Sequence, residues 1–164
     1  MKELMAMQAY TDAVTQSAID TLAMMGGITL SRGESHVHTR TEITDSAAVY
    51  IGVTGDYSGY VLIRFSLGDA KVVASAAMMG FPVETLDDMS ISALSELGNM
   101  IMGGASCTLS TQGVNTDITT PTFLQGTVKI KQADLNPVSI PLTADGLRIV
   151  LDIAVKTTDG SPST

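Results

Sequence analysis

Apolar residues recur at helical spacing in three stretches of the chain. The first, residues 5–25, is amphipathic and is followed by Gly26-Gly27, a pair typical of a helix C-terminus. The other two, residues 69–79 and 88–109, are separated by Phe81-Pro82, where the missing amide of proline interrupts helical hydrogen bonding. The pattern therefore predicts one helix at the N-terminus and two successive helices in the middle of the chain.

Between and after these helices the apolar residues alternate, which is the pattern of half-buried strands. Gly55 and Gly59 are expected to turn the chain between two such strands, and Asp145-Gly146 is a tight-turn signal before another. The alternating positions are Val49, Ile51, Val53, Val61, Ile63, Phe65, Val128, Ile130, Leu147, Ile149, Leu151, Ile153 and Val155. Runs of strands between helices indicate an α+β fold and exclude a doubly wound parallel sheet.

The third predicted helix, which Asp87 or Asp88 is placed to cap, has two different faces. At about 100° per residue, four apolar residues fall within about 80° of one another, and four polar or glycine residues cluster on the opposite side. The apolar four are Leu94, Leu97, Ile101 and Ala105, and the opposite four are Ser92, Glu96, Asn99 and Gly103. An acid and a carboxamide are therefore expected to stand one turn apart and to face outward.

Glu96 and Asn99 can be interpreted in two ways. Long polar side chains are the default on the wet face of an amphipathic helix, so one interpretation is an ordinary solvated surface. Asn, however, is a poor helix former, and Gly103 on the same face is also unfavourable, although it would let another backbone come close. The second interpretation is a docking surface for a partner.

The run Ser92-x-x-x-Glu96-x-x-Asn99 with a downstream proline, Pro121, resembles the signature of the CheC/CheX/FliY family of chemotaxis response-regulator phosphatases. Three further blocks are similar to the family's pattern and come in the expected order. They are the glycine-bracketed hairpin at residues 50–61, the helix end at residues 74–80 and the Pro-Thr-Phe-Leu-Gln-Gly run at residues 121–126. Four ordered blocks are far more specific than one short motif.

Within that family the chain is most similar to the CheX kind. Members of the CheC kind carry a second copy of the acid-and-Asn motif on the first helix, where this chain has Gln16 and Ile19 instead. The resemblance therefore implies a single site on the later helix. It also implies an antiparallel sheet with helices packed on one face, and a homodimer formed through sheet edges.

The resemblance further implies a function, which is to dephosphorylate the phosphoaspartate of a CheY-like response regulator. In this role Asn99 would orient the attacking water, and Glu96 would dock to the receiver's lysine. Ser92, Gly103 and Pro121 are expected to take part in docking. No cofactor of the chain's own is expected, because the receiver would supply Mg²⁺ and neutralise most of the phosphoryl charge.

A binding module without catalysis is the alternative. The same scaffold could serve as a receiver-binding adaptor or as a motor-switch interaction protein that has lost the hydrolytic step. A pure binding module would be expected to have replaced Glu96 or Asn99 by drift, and both are present. The sequence therefore favours the phosphatase.

Composition agrees with one compact domain. In 164 residues, 45% hydrophobic and only 16% charged side chains argue against disorder, so we expect a single domain over residues 1–156 and a disordered polar tail over residues 157–164. A net charge of −8 disfavours nucleic acid and anionic membranes as partners. Neither a membrane-spanning stretch nor the apolar run of a signal peptide is visible, so a cytoplasmic location is expected.

Other chemistry finds little support in the sequence. The lone cysteine, Cys107, lies between Ala105 and Leu109 and is expected to be an inert core residue. His36 and His38 could share one face of a strand, but a catalytic zinc usually takes three protein ligands and no third is evident. There is also no G-x-S-x-G or G-x-x-x-x-G-K motif, so no metal site, serine nucleophile or phosphate loop is predicted.

Overall fold

The computed structural model describes residues 2–37, 41–130 and 135–158. In these ranges the chain forms α1 (Lys2–Gly26), β1 (Ser31–Arg32), β2 (His36–Val37), β3 (Thr41–Gly55), β4 (Tyr57–Ser66), α2 (Leu67–Ala77), α3 (Asp88–Thr111), β5 (Thr116–Ile118), β6 (Thr122–Ile130), β7 (Val138–Ala144) and β8 (Leu147–Thr157). The three predicted helices are confirmed, with ends displaced by at most a few residues. No helix in these ranges is long and apolar enough to cross a membrane.

The strands form one antiparallel sheet. Its order is β1-β7-β8-β4-β3-β5, with β2 also paired to β7 and β6 also paired to β3. The hairpin of β3 and β4 lies at its centre, and β8 pairs with β4 along nine residues, from Tyr57 opposite Thr157 to Phe65 opposite Ile149. The predicted α+β class with an antiparallel sheet is confirmed.

All three helices pack on one face of this sheet, and their apolar sides meet its inward residues in the main core. The alternation predicted for β3, β4 and β8 is confirmed, because every alternating apolar residue of those strands is buried in that core. The C-terminal cap of α1 is also confirmed. Gly27 has a φ of +63°, and its amide and that of Ile28 bond carbonyls of the last helical turn.

The opposite face of the sheet carries a smaller buried cluster that sequence reasoning did not predict. Its members are Ala48, Tyr60, Leu62 and Ala154. Beside them Asp152, only 1% exposed, accepts hydrogen bonds from the Arg64 guanidinium and the Ser139 hydroxyl. These bonds compensate the burial of the carboxylate, which would otherwise be strongly unfavourable.

The turn between β3 and β4 is shorter than predicted. β3 ends at Gly55, which has a φ of +103°, and β4 already begins at Tyr57. Gly59 lies within β4, where a Cβ atom would collide with the Ala154 carbonyl of β8. Gly59 is therefore a close-approach residue and not a turn residue, which corrects the expectation for residues 55–59.

The second predicted turn is confirmed at Asp145-Gly146. Both residues have positive φ angles, +38° and +84°, and only these two residues separate β7 from β8. At the end of the chain, β8 runs to Thr157, and the Thr158 amide donates to the Asp56 carbonyl. The remaining residues of the predicted tail, 159–164, lie outside the described residues.

Candidate functional site

Helix α3 has a well-formed N-terminus. The Asp87 carboxylate accepts a hydrogen bond from the Ser90 amide at 2.9 Å and another from the Ser90 hydroxyl at 2.9 Å. The hydrogen bonds from Ser90 hold the pKa of Asp87 below its usual range, because they favour the charged form. Of the two aspartates predicted as possible caps, Asp87 is the one that caps the helix.

The predicted apolar face of α3 is buried. Leu94, Leu97, Ile101 and Ala105 are each at most 1% exposed. A Cβ at Gly98, on this side, would lie 3.0 Å from side-chain atoms of both Val49 and Ile51 in β3, so the helix sits directly on the centre of the sheet.

The side of α3 that faces α1 also depends on small residues. The Ser17 hydroxyl of α1 donates a hydrogen bond to the Ile101 carbonyl at 2.6 Å. A Cβ on Gly104 would lie 2.5 Å from the same hydroxyl oxygen. Gly104 thus lets α1 approach closely, and the two contacts fix how α3 presents its outer face.

The predicted polar face of α3 points away from the protein. Ser92, Glu96 and Gly103 are exposed and Asn99 is half-buried. Within the part of the chain that the structure describes, the side chains of Glu96 and Asn99 form no hydrogen bond or ion pair. A Cβ added to Gly103 would meet no atom within 4 Å. The fold brings these four residues onto one surface, and the described residues make no use of the Glu96 and Asn99 side chains.

Pro121 lies in the short connection between β5 and β6. It precedes β6, whose first residue Thr122 pairs with Tyr50, and the preceding Thr119 exchanges hydrogen bonds with Gly52 at 2.8 and 2.9 Å. Ile51 lies between Tyr50 and Gly52 in β3, and a Cβ on Gly98 of α3 would lie 3.0 Å from its side chain. Pro121 therefore follows β3, the strand on which Gly98 of α3 packs.

Several residues of the same α3 face escaped the sequence analysis. Met89 and Met100 are exposed, and helical spacing could have placed them beside Glu96. The expectation for Cys107 is wrong, since its thiol is exposed on this face. Cys107 lies about 200° around the helix from both Ala105 and Leu109, so their burial does not extend to it.

Further along α3 the outer face borders a polar cavity of about 370 Å³. The cavity lies between the helix, the β3–β4 turn and β5, and its lining includes Asp56, Ser106, Ser110 and Asp117. Asp56 already accepts a hydrogen bond from the Asn115 amide at 2.8 Å, and the hydroxyls of Ser106 and Thr116 are 3.3 Å apart. The Ser106–Thr116 contact joins α3 to β5, and the Asp56–Asn115 bond joins the β3–β4 turn to the residue that precedes β5.

The first helix presents no comparable pair. Gln16 is exposed, but its amide donates to the Asp20 carboxylate at 2.9 Å, and Ile19 packs against the main core.

In the described ranges no group of three or more His, Cys, Asp or Glu side chains is arranged to hold a metal ion. His36 is exposed in the short strand β2, and His38 lies outside those ranges.

Comparison with known proteins agrees with this architecture. The family model for the chemotaxis phosphatase CheX matches residues 47–143. The CheY-P phosphatase CheX of Thermotoga maritima is 36% identical over 121 residues, which cover 73% of this chain and 78% of that protein.

Solved structures are similar over nearly the whole chain. A CheC-like superfamily protein from Shewanella sp. PV-4 superposes with a TM-score of 0.81 at 22% identity, covering 90% of this chain and 97% of that one. The Borrelia burgdorferi CheX in a CheX–CheY–BeF3–Mg²⁺ complex gives a TM-score of 0.77 at 26% identity, with 90% and 97% coverage. By the extent of the family match and the identity to the Thermotoga protein, this chain belongs to the CheX family of chemotaxis phosphatases.

Proposed function

We propose that this protein hydrolyses the phosphoaspartate of a CheY-like response regulator, and that α3 supplies the catalytic surface. The observation that carries the proposal is the pair of Glu96 and Asn99, which face outward on a firmly packed helix without any partner among the described residues. The Thermotoga relative is named as a CheY-P phosphatase, and the Borrelia relative was crystallised with CheY.

In this proposal Asn99 acts on the attacking water. A carboxamide can accept a hydrogen bond from water through its oxygen while its NH2 group donates to a phosphoryl oxygen. Water then attacks phosphorus, the bond from phosphorus to the aspartyl oxygen breaks, and the products are inorganic phosphate and a free carboxylate. Most of the rate enhancement would come from orienting the water, because the receiver's own Mg²⁺ and basic residue neutralise the developing charge.

Glu96 has the separate task of holding the receiver in register. Its exposed carboxylate lies one turn before Asn99 and can make a charge-assisted contact with a receiver lysine. Ser92 and Gly103 extend the same surface in both directions, and Pro121 is proposed to take part in docking at its border. Gly103 is the most informative of these, since no neighbour among the described residues would clash with a Cβ there, and a glycine leaves room for the backbone of a partner.

Decay of a phosphorylated receiver from the same genome, with and without catalytic amounts of this protein, tests the proposal. We expect Asn99→Ala to lower kcat at least about 100-fold while receiver binding stays nearly unchanged. Gln112→Ala is the matched control, because it removes an exposed carboxamide at the C-terminal end of the same helix. Wild-type turnover in Asn99→Ala would refute the assigned role.

A second comparison separates docking from chemistry. Glu96→Gln should raise KM for the phosphorylated receiver and leave kcat within a few-fold, whereas the exposed loop variant Glu84→Gln should change neither. If the wild-type protein binds the receiver but does not accelerate its decay, the non-catalytic adaptor or motor-switch role replaces the phosphatase for this chain.

We further propose that the protein acts as a homodimer in the cytoplasm, where response regulators are phosphorylated, and needs no metal of its own. The nine-residue strand β6 supports dimerisation, because its described pairings are all with β3 and they leave its outer edge open to a second copy. Sedimentation equilibrium tests the dimer. The metal requirement is tested by treating this protein, but not the receiver, with EDTA and then desalting it. Hydrolysis should persist after this treatment.

A further inference from the structure

Two exposed methionines lie beside Glu96 on α3. Met89 is 66% exposed and Met100 is 37% exposed, whereas Met102 of the same helix is buried. We propose that Met89 and Met100 form an apolar rim that receives the response regulator and removes water from the contact made by Glu96. This inference rests on the proposed function, and it adds two specificity-determining residues to it.

Helix geometry places the two methionines on the same side of the carboxylate, one before it and one after it along the axis. At about 100° per residue, Met89 projects within about 20° of Glu96 and Met100 within about 40°. Along the axis they lie about 10 Å before and 6 Å after it. Asn99 projects about 60° from Glu96 on the side away from Met100. The rim therefore flanks the docking charge on one side, with one methionine before it and one after it along the axis, and leaves the carboxamide on the other side uncovered.

The charge pattern of the surface explains why such a rim would matter. Helix α3 contains no Lys or Arg, and Glu96 is the only charged residue beyond its first turn. An exposed ion pair in water contributes little, but the same pair is stronger when a partner covers it and the local dielectric falls. Residues that exclude water around a central contact commonly have this effect at protein interfaces.

Methionine suits this position better than a branched residue. Its unbranched, polarisable side chain adapts to the shape of the partner, so a receiver face that is apolar around a basic side chain would fit. The fold gives neither side chain another task, because neither belongs to the buried core clusters of the described residues. The proposed occupant is thus the same response regulator that carries the phosphoaspartate.

Binding to a receiver activated with beryllofluoride tests the rim without requiring hydrolysis. Met89→Gln and Met100→Gln preserve side-chain length and helix propensity, so folding should be unaffected. We expect each to raise Kd about three- to tenfold, chiefly because the Glu96 ion pair would be less protected from water. Met24→Gln is the matched control, since Met24 is 78% exposed on α1 and its Kd should equal that of the wild type.

A double-mutant cycle with Glu96→Gln separates desolvation from simple contact. If the rim strengthens the Glu96 contact, Met100→Gln should raise Kd by less than twofold in the Glu96→Gln background. The Kd of Met100→Gln should also rise more steeply with salt than that of the wild type, because the ion pair between Glu96 and the receiver lysine is less protected from solvent in this variant. Additive effects, or unchanged Kd values for both methionine variants, would overturn the inference.

The outcomes also separate this inference from the proposed function. A rim effect on Kd without accelerated dephosphorylation would refute catalysis and keep the docking surface. Methionine variants that alter the dimer dissociation constant but not receiver binding would assign this face to a second copy, which overturns the inference alone. A wild-type protein that binds no activated receiver would refute both.

Discussion

Helices α1 and α3 are of nearly equal length and pack beside each other on the same face of the sheet, yet only α3 carries a candidate site. On α1, Gln16, which stands where a second motif would begin, bonds Asp20, and Asp12 pairs with Arg32 at 2.9 Å. On α3 the corresponding face makes no internal use of Glu96 or Asn99 among the described residues. The candidate site therefore lies on the helix whose acid and carboxamide the fold leaves without an internal partner among the described residues.

The largest effect is expected when the acid-and-Asn motif is transferred to α1 with Gln16→Glu and Ile19→Asn, which tests whether the two helices differ in packing or only in sequence. We expect the double variant to lose about 2–3 kcal/mol of unfolding free energy, because Ile19 packs against the core and a carboxamide there would lose apolar burial and lack partners. Urea denaturation followed by circular dichroism measures the loss. The single variant Gln16→Glu, at an exposed position, should be close to the wild type.

The opposite result would change the interpretation of both helices. A stable double variant with about twice the wild-type kcat per chain would mean that the motif alone makes a site, whatever the packing beneath it. We expect the kcat per folded molecule to be unchanged. Residue 19 of α1 is packed against the core, so an asparagine there would not be presented to a receiver as Asn99 is on α3.

Two adjacent glycines of α3, Gly103 and Gly104, differ in whether they face α1. Gly103→Ala and Gly104→Ala gain the same helix propensity, so their difference in stability reports packing alone. A Cβ at Gly104 would lie 2.5 Å from the Ser17 hydroxyl, while one at Gly103 meets nothing. Gly104→Ala should therefore be less stable than Gly103→Ala by about 1–2 kcal/mol in thermal or urea unfolding.

A second-site change checks the cause of that difference. The Cβ of Ser17 is 3.6 Å from the position that a Cβ on Gly104 would occupy, an ordinary contact distance, so Ser17→Ala should relieve the collision in Gly104→Ala. If the double variant is no more stable than Gly104→Ala, the close approach of α1 and α3 does not explain the need for glycine.

Much of α3 could be predicted from sequence because helical periodicity alone assigns its faces. The buried positions of Leu94 and Leu97 and the exposure of Glu96 follow from spacing. The same periodicity, applied to Cys107, would have predicted exposure, and the error came from weighing sequence neighbours above helical angle. Spacing is thus a better guide to burial within a helix than the character of flanking residues.

Features that depend on strand neighbours were harder to predict. Gly59 was assigned to a turn because glycine favours both turns and close approaches, and only the pairing with β8 distinguishes them. The buried Asp152 was not anticipated either, since Arg64 and Ser139 reach it from two neighbouring strands. Long-range register, which no local pattern specifies, decides both cases.

A smaller effect is expected at the cap that starts α3. Asp87→Ala should lower Tm by a few degrees, because the Ser90 amide would lose its side-chain acceptor. Because the folded-state pKa of Asp87 is lowered, its contribution is complete above the unfolded pKa and is lost as pH falls through the folded value. The difference in Tm between wild type and variant should therefore shrink below about pH 4.

Differential scanning calorimetry at several pH values measures this, with Asp87→Asn as the control. Asn retains a capping oxygen without a titrating group, so its Tm difference from Asp87→Ala should not vary with pH. A Tm difference between wild type and Asp87→Ala that stays constant down to about pH 2 would show that the charge on Asp87 does not contribute.

The smallest change in stability carries the most direct information on function. Gly103→Ala should raise the unfolding free energy by about 0.5–1 kcal/mol, because alanine is the better helix former and its Cβ would meet no atom of the described residues within 4 Å. The same variant should bind the activated receiver more weakly, since the methyl group occupies the space left for the partner's backbone. Stabilisation together with unchanged receiver affinity would show that no partner approaches α3 at Gly103, and would move the docking surface toward Ser92.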